Sequence, residues 1–241
     1  MKQTPLEKRI KKINELLISF FGIPKRNRKT PKSLDMLIGT ILSQNTNDKN
    51  SYKAYQNLKE KYKNWDEVEK LTPSKIEKII KVAGLGKQKS KAIKNVLSGL
   101  KKEQGKINLA YLNKLDDQTV IDELTKFDGV GVKTASCVLL FSMNRNVCPV
   151  DTHVHRTLNR IGLVKTNSPD KTFLEIFDKI PQGIAHSFHT NLIRLGREVC
   201  KSAKPLCSIC PLQKICKYEN KNFDNVSVRK ENDFMLLDNI N

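Results

Sequence analysis

Apolar residues recur along this chain at helical spacing from the first segment to the last third. Leu6, Ile10, Ile13, Leu17 and Phe20 form one stripe on a basic N-terminal helix. Residues 24–31 read as a polar, basic connector, and Ser33 is the candidate cap of a second helix carrying Leu34, Leu37, Ile38 and Ile41. Tyr52, Tyr55, Leu58 and Tyr62 mark a third. Thr72-Pro73-Ser74 opens a fourth, with Ile76, Ile79 and Ile80 inside and Gly84 as its stop. Ala92, Ile93, Val96, Leu97 and Leu100 make the next. Val120, Ile121, Leu124 and Phe127 then lead into Gly129-Val130-Gly131, after which Thr134 to Met143 continues helical. Beyond Asp151 come Val154, Leu158 and Ile161, then Phe173, Ile176, Phe177 and Ile180, and last Leu192, Leu195 and Val199. Convincing period-two strands are absent, so the pattern predicts an all-α fold. From about Lys217 onward the chain is weakly patterned, with Val226-Ser227-Val228 its only strand-like stretch. No repeat of fixed period appears. Gly84-Leu85-Gly86 before Lys87 echoes Gly129-Val130-Gly131, either as a helix stop with a tight turn or as a second backbone-binding turn.

Charge adds a partner class to this picture. The chain has 44 Lys+Arg against 25 Asp+Glu in 241 residues, a formal +19. That balance points to a polyanion, most simply nucleic acid, with a lysine-rich solvated surface as the alternative. Aromatics are 6% of the residues, too few for a base-stacking single-strand platform. The longest apolar run near the middle, Val138-Leu139-Leu140-Phe141, is far short of a membrane span, and the N-terminus lacks the apolar core of a signal peptide. The expectation is an intracellular protein, cytoplasmic or nucleoid-associated in a prokaryote.

Candidate chemistry concentrates around the Gly-Val-Gly turn. Glycine permits positive φ and close approach of bare backbone amides to a phosphate, and the following helix adds a favourable dipole. Lys133 lies in the first turn of that helix, where the dipole disfavours the ammonium form. A neutral amine is what a lysine nucleophile needs to attack a sugar carbon; the alternative is a solvated lysine or a phosphate contact. Asp151, 18 residues further on (151 − 133), follows Pro149-Val150 and precedes an amphipathic helix. It suits an N-cap, and it also suits stabilisation of positive charge developing on a sugar as a base departs. Both readings can hold together.

Cys200, Cys207, Cys210 and Cys216 follow the spacing C-x6-C-x2-C-x5-C. Four thiols this close in an intracellular protein argue for a metal site over disulfides. The spacing by itself leaves zinc and an iron–sulfur cluster comparable. Cys137 and Cys148 read as core residues. His153 is a candidate support for Asp151, and His155 reads as a surface residue.

Gly129-Val130-Gly131-Val132-Lys133-Thr134-Ala135 with Val150-Asp151-Thr152-His153 resembles the helix–hairpin–helix DNA glycosylases, specifically the endonuclease III family. The resemblance covers roughly Leu34 to Cys216 and includes the family's own four-cysteine pattern, which favours a 4Fe–4S cluster on Cys200, Cys207, Cys210 and Cys216. It implies Lys133 as nucleophile and Asp151 as its essential partner. It also implies a duplex-entering role for Gln44 in Leu42-Ser43-Gln44-Asn45-Thr46-Asn47-Asp48, and backbone contacts at Gly129 and Gly131. Lys201, Lys204, Lys214 and Lys217 would offset the cluster's charge and face DNA.

Two helical lobes are implied. One spans 30–145 with the hairpin near 127–133, the other joins 1–29 to 146–220, and the active site lies in the cleft between them; the role of the tail at 221–241 is left unassigned. The implied activity is that of a monomeric, bifunctional DNA glycosylase and AP lyase acting on oxidised pyrimidines in duplex DNA. The rival readings are a monofunctional mismatch glycosylase, a non-catalytic helix–hairpin–helix DNA-binding protein and a purely redox iron–sulfur protein. This chain departs from the family in having Phe127-Asp128 where Leu-Pro is common, with Asp128 a candidate cap or register-tuner of the turn. The stretch from Lys101 to Gln118 is also longer than expected.

Overall fold

The computed structural model describes residues 3–26 and 29–224, which are helical with no strand among them; the strand-like stretch expected at Val226-Ser227-Val228 lies outside the described residues. No described helix is long and apolar enough to cross a membrane. The described residues form two compact units, one running from the connector through to Arg145, the other combining the N-terminal helix with residues 146–224.

The first unit is built around α2 (Ser33–Ser43), which buries Leu34, Met36, Leu37, Ile38, Ile41 and Leu42 and is apolar on every side but one. Against it pack α3 (Asp48–Lys61), α6 (Gly86–Gln104) and α8 (Val132–Cys137), while α5 (Pro73–Ile80) packs on α3 and α6, and α7 (Asp117–Thr125) packs on α8. Truncating Leu37 or Ile38, both fully buried, to alanine costs about 2–5 kcal/mol. The expected cap of α2 is displaced by one residue. Lys32 is the N-cap and makes no side-chain cap bond, while Ser33 is the first helical residue and accepts from the Ser142 hydroxyl at 3.1 Å.

A short helix, α4 (Trp65–Glu69), had no apolar stripe to announce it. Asn64 caps it through the Glu67 amide, and Asp35 Oδ1 receives the Trp65 indole N–H, the Tyr55 hydroxyl and the Lys59 ammonium at 3.1, 2.7 and 3.2 Å. One carboxylate therefore ties α2, α3 and α4 together. The long stretch after Lys101 is filled by the end of α6, a left-handed stop at Gly105, a 3₁₀ turn over Ala110–Lys114 and the Asp116 cap of α7.

The second unit pairs α1 (Pro5–Phe21) with α11 (Ala185–Arg194), and α9 (Thr152–Ile161) with α10 (Pro169–Ile176) and α11. Thr4 and Glu7 form a reciprocal capping box at the start of α1, and Ile10, Ile13 and Leu17 are buried. Phe20, expected in the same stripe, is 46% exposed, because it falls in the last turn where α1 ends at Gly22. Two single π-turns interrupt the helical ladders, at Val138–Ser142 and Leu195–Val199. The second ends at Cys200, whose amide donates back to Leu195 O; such turns insert one residue and re-aim the chain beyond them.

Candidate DNA-repair site

The hairpin is formed by α7, the turn 127–131 and α8. Val120, Ile121 and Leu124 anchor α7, and Phe127 and Val130 bury the two ends of the turn. The turn closes through the backbone, the Val130 amide donating to Phe127 O at 3.0 Å. Asp128 is exposed. Gly129 takes φ +89°, and a Cβ there would stand 2.5 Å from the Ala92 Cβ. Both the conformation and the close approach to α6 require glycine.

Gly131 is different: its φ of −97° suits any residue, and a Cβ there meets nothing within 4 Å. It is the N-cap of α8 and supplies no side-chain acceptor, so the first amides of α8 open onto an exposed glycine. Lys133 is the second helical residue, half-buried, with Thr134 and Ala135 buried behind it.

Gln44 is the C-cap of α2, and its side-chain amide donates to Gly129 O at 3.0 Å. The polar residue ending α2 and the hairpin turn are thus joined directly, 85 residues apart in sequence.

In the other unit Asp151 is the N-cap of α9, half-buried, its Oδ1 accepting from the Val154 amide at 2.8 Å. The segment before it is held by His189, whose ring lies 2.9 Å from Pro149 O inside the core. His153 pairs with Arg156 at 3.2 Å, and burial lowers its pKa against the pull of the Asp151 charge. His155 is not a surface residue. Its Nδ1 meets the Thr172 hydroxyl at 2.7 Å and it is half-buried among Thr172 and Asn159, because α10 packs over that face of α9.

Cys200, Cys207, Cys210 and Cys216 are all free thiols and half-buried, while Cys137 and Cys148 are buried in the core as expected. Leu206 and Leu212 pin the loop that carries the four. Burial pushes the Cys210 thiol up to about 12, with smaller contributions from Cys200, Cys216 and Cys207. Among the described residues no group of three or more His, Cys, Asp or Glu is gathered closely enough to hold a metal ion.

The donor set itself is all sulfur, which suits soft metal–sulfur chemistry over an oxygen-seeking cation. Positive charge stands beside it. Arg160 donates towards Cys200 Sγ at 3.6 Å and stacks on Tyr218, and Arg156 donates to Cys200 O at 3.0 Å and Gly196 O at 2.8 Å. Neither arginine stood out in the sequence; only their place on the inner face of α9, the helix begun by Asp151, reveals them. Lys201, Lys204, Lys214 and Lys217 are exposed around the loop.

This hairpin followed by a lysine, on an all-helical frame, defines a helix–hairpin–helix protein. Residues 38–182 match the model of the HhH-GPD superfamily of base excision DNA repair proteins. The chain is 34% identical over 193 residues to endonuclease III of Thermotoga maritima, spanning 80% of this chain and 86% of that one. It is 35% identical over 207 residues to endonuclease III of Sulfolobus acidocaldarius, spanning 82% and 87%. It spans 58% of the length of an Arabidopsis thaliana relative to which it is 39% identical over 172 residues. Among solved structures, a trapped endonuclease III–DNA covalent intermediate superposes with a TM-score of 0.75 at 25% identity, covering 88% of this chain and 95% of that one. The chain belongs to the endonuclease III family, helix–hairpin–helix DNA glycosylases of base excision repair.

Proposed function

We propose that this protein is a bifunctional glycosylase and AP lyase that removes oxidised pyrimidines, such as thymine glycol, from duplex DNA. The observation that carries the reading is Lys133 at the second position of α8, directly behind the exposed Gly131, where no side chain fills the space. The turn amides and the opening of α8 grip a backbone phosphate, and the damaged nucleotide leaves the stack. Gln44 enters the duplex in its place. The Lys133 amine attacks the anomeric carbon of the extruded sugar, the glycosidic bond breaks, and the base departs with the bonding electron pair and takes up a proton. Asp151 stabilises the positive charge that develops on the sugar.

The sugar ring of that adduct then opens. The ring oxygen leaves the anomeric carbon and is protonated to a hydroxyl, which leaves a Schiff base between Lys133 and the sugar carbon. A proton departs from the adjacent carbon, and the 3′ phosphate is expelled by β-elimination. Water hydrolyses the imine and returns the lysine amine.

The four half-buried thiols and the arginines beside them support a 4Fe–4S cluster held by Cys200, Cys207, Cys210 and Cys216. When bound, that group would cross-link the loop and add a redox-active centre. The loop lysines, Lys214 among them, would contact DNA phosphates. The protein works as a monomer on double-stranded DNA in this reading.

The product distinguishes the lyase from a monofunctional glycosylase. A lyase cuts a thymine glycol duplex on the 3′ side of the lesion without alkali. A monofunctional enzyme leaves an abasic strand that breaks only after alkali.

A further inference from the structure

Lys89 is among the largest side chains of the described residues to be completely buried, with 1% of its surface exposed. Lysines are almost never found so deep unless paired. Here the ammonium donates to two backbone carbonyls, Leu42 O at 2.7 Å and Ala83 O at 2.8 Å. Burial lowers its pKa to about 8, and no carboxylate contributes to that shift.

The two carbonyls belong to different parts of the chain. Leu42 lies in the last turn of α2, two residues before Gln44. Ala83 ends the 3₁₀ turn after α5 and precedes the exposed Gly84-Leu85-Gly86 turn, in which Leu85 is held at φ +49°. Lys89 sits in the first turn of α6, and Ala92, less than one turn further along, is the residue against which Gly129 is pressed. Gln44 closes the circuit by donating to Gly129 O.

Three turns, around 44, 85 and 129, are therefore locked to the start of α6 by one buried amine, one amide and one close glycine contact. A purely apolar core residue would fill the same volume and leave both carbonyls unmet. Burying a charge that has no counter-ion is costly, and its persistence here suits a task that packing alone does not perform.

We propose that Lys89 is a positioning residue, clasping the Gln44 end of α2 to the Gly84–Gly86 turn so that both meet an extruding nucleotide in register. This rests on the glycosylase reading above. Misplacement of such supports by about 1 Å costs on the order of 100-fold in rate without abolishing binding.

The test compares wild type with Lys89→Met and Lys89→Gln on a duplex carrying thymine glycol beside 2-aminopurine, whose fluorescence rises when its neighbour unstacks. The expected result is undamaged-duplex affinity within about twofold of wild type, with the fluorescence rise and the single-turnover excision rate each reduced by roughly tenfold or more. Unchanged extrusion and excision in a folded Lys89→Met overturns the proposal. So does failure of both variants to fold, which makes Lys89 a core residue only. A wild type that binds but never excises thymine glycol instead overturns the glycosylase reading, and that outcome is visible before any variant is made.

Discussion

The Cβ that Gly129 lacks would lie 2.5 Å from the Cβ of Ala92, so the hairpin turn and the first turns of α6 touch at a point where no side chain fits. Gly129 also sits at φ +89°. Gly129→Ala therefore carries both a strained backbone and a clash, with an expected loss of about 1–3 kcal/mol in urea unfolding. Gly131→Ala introduces neither and should unfold with wild type. If Gly131 faces a DNA phosphate, its alanine variant still loses duplex affinity, and unchanged binding by Gly131→Ala rules that contact out.

Asp151 has a structural use and a chemical one, and two substitutions separate them. Asparagine is as good an N-cap as aspartate, so Asp151→Asn should keep the bond to the Val154 amide and melt close to wild type. Its excision rate should fall by on the order of 100-fold or more through the lost negative charge. Asp151→Ala should show the same rate loss plus about 1 kcal/mol of instability. An Asp151→Asn enzyme of wild-type rate leaves Asp151 as a cap alone.

The Cys200, Cys207, Cys210 and Cys216 thiols should make the purified protein brown, with visible absorbance that disappears on replacing any one with serine. Metal analysis should return iron and acid-labile sulfide. A colourless, zinc-loaded protein with full excision activity contradicts the cluster.

Lys89 should give stability an unusual alkaline dependence. Its folded-state pKa of about 8 lies below the ordinary 10.5. Below about pH 8 both folded and unfolded chains hold the proton, and Lys89 adds no slope. Between those values the unfolded chain keeps a proton that the folded chain has released, so stability attributable to Lys89 rises with pH. Urea unfolding from about pH 7 to about pH 10 should show wild type gaining up to about 3 kcal/mol relative to Lys89→Met. A difference that stays flat contradicts the buried, depressed amine.

Much of the fold and site was readable from the chain because helical period and motif spacing are local signals. The stripes of α2, α7 and α9 are buried where expected, as are Ile10, Ile13 and Leu17 of α1; Thr72 and Asp151 cap their helices, and Gly84 stops the turn after α5. The features that stayed hidden depend on distant partners. Lys89 lies among Lys87, Lys91 and Lys94 and looks like one more solvated cation, since one of the two carbonyls that receive it is 47 residues away. Arg156 and Arg160 gained meaning only when α9 brought them to Cys200, 44 and 40 residues on. His155 looked exposed because α10, which covers it, is invisible from its own neighbours. Trp65 signalled nothing until Asp35 was seen to receive its indole.

Covalent attachment of the Lys133 amine to the sugar is the step on which the proposed function stands. Reduction with borohydride during turnover of a thymine glycol or abasic-site duplex fixes such an adduct irreversibly. Wild type should yield a protein–DNA species stable to denaturation, mapped by peptide analysis to Lys133, and Lys133→Gln should bind the same duplex and yield none. A wild type that forms no adduct on either substrate, or a Lys133→Gln variant that traps as well as wild type, contradicts it.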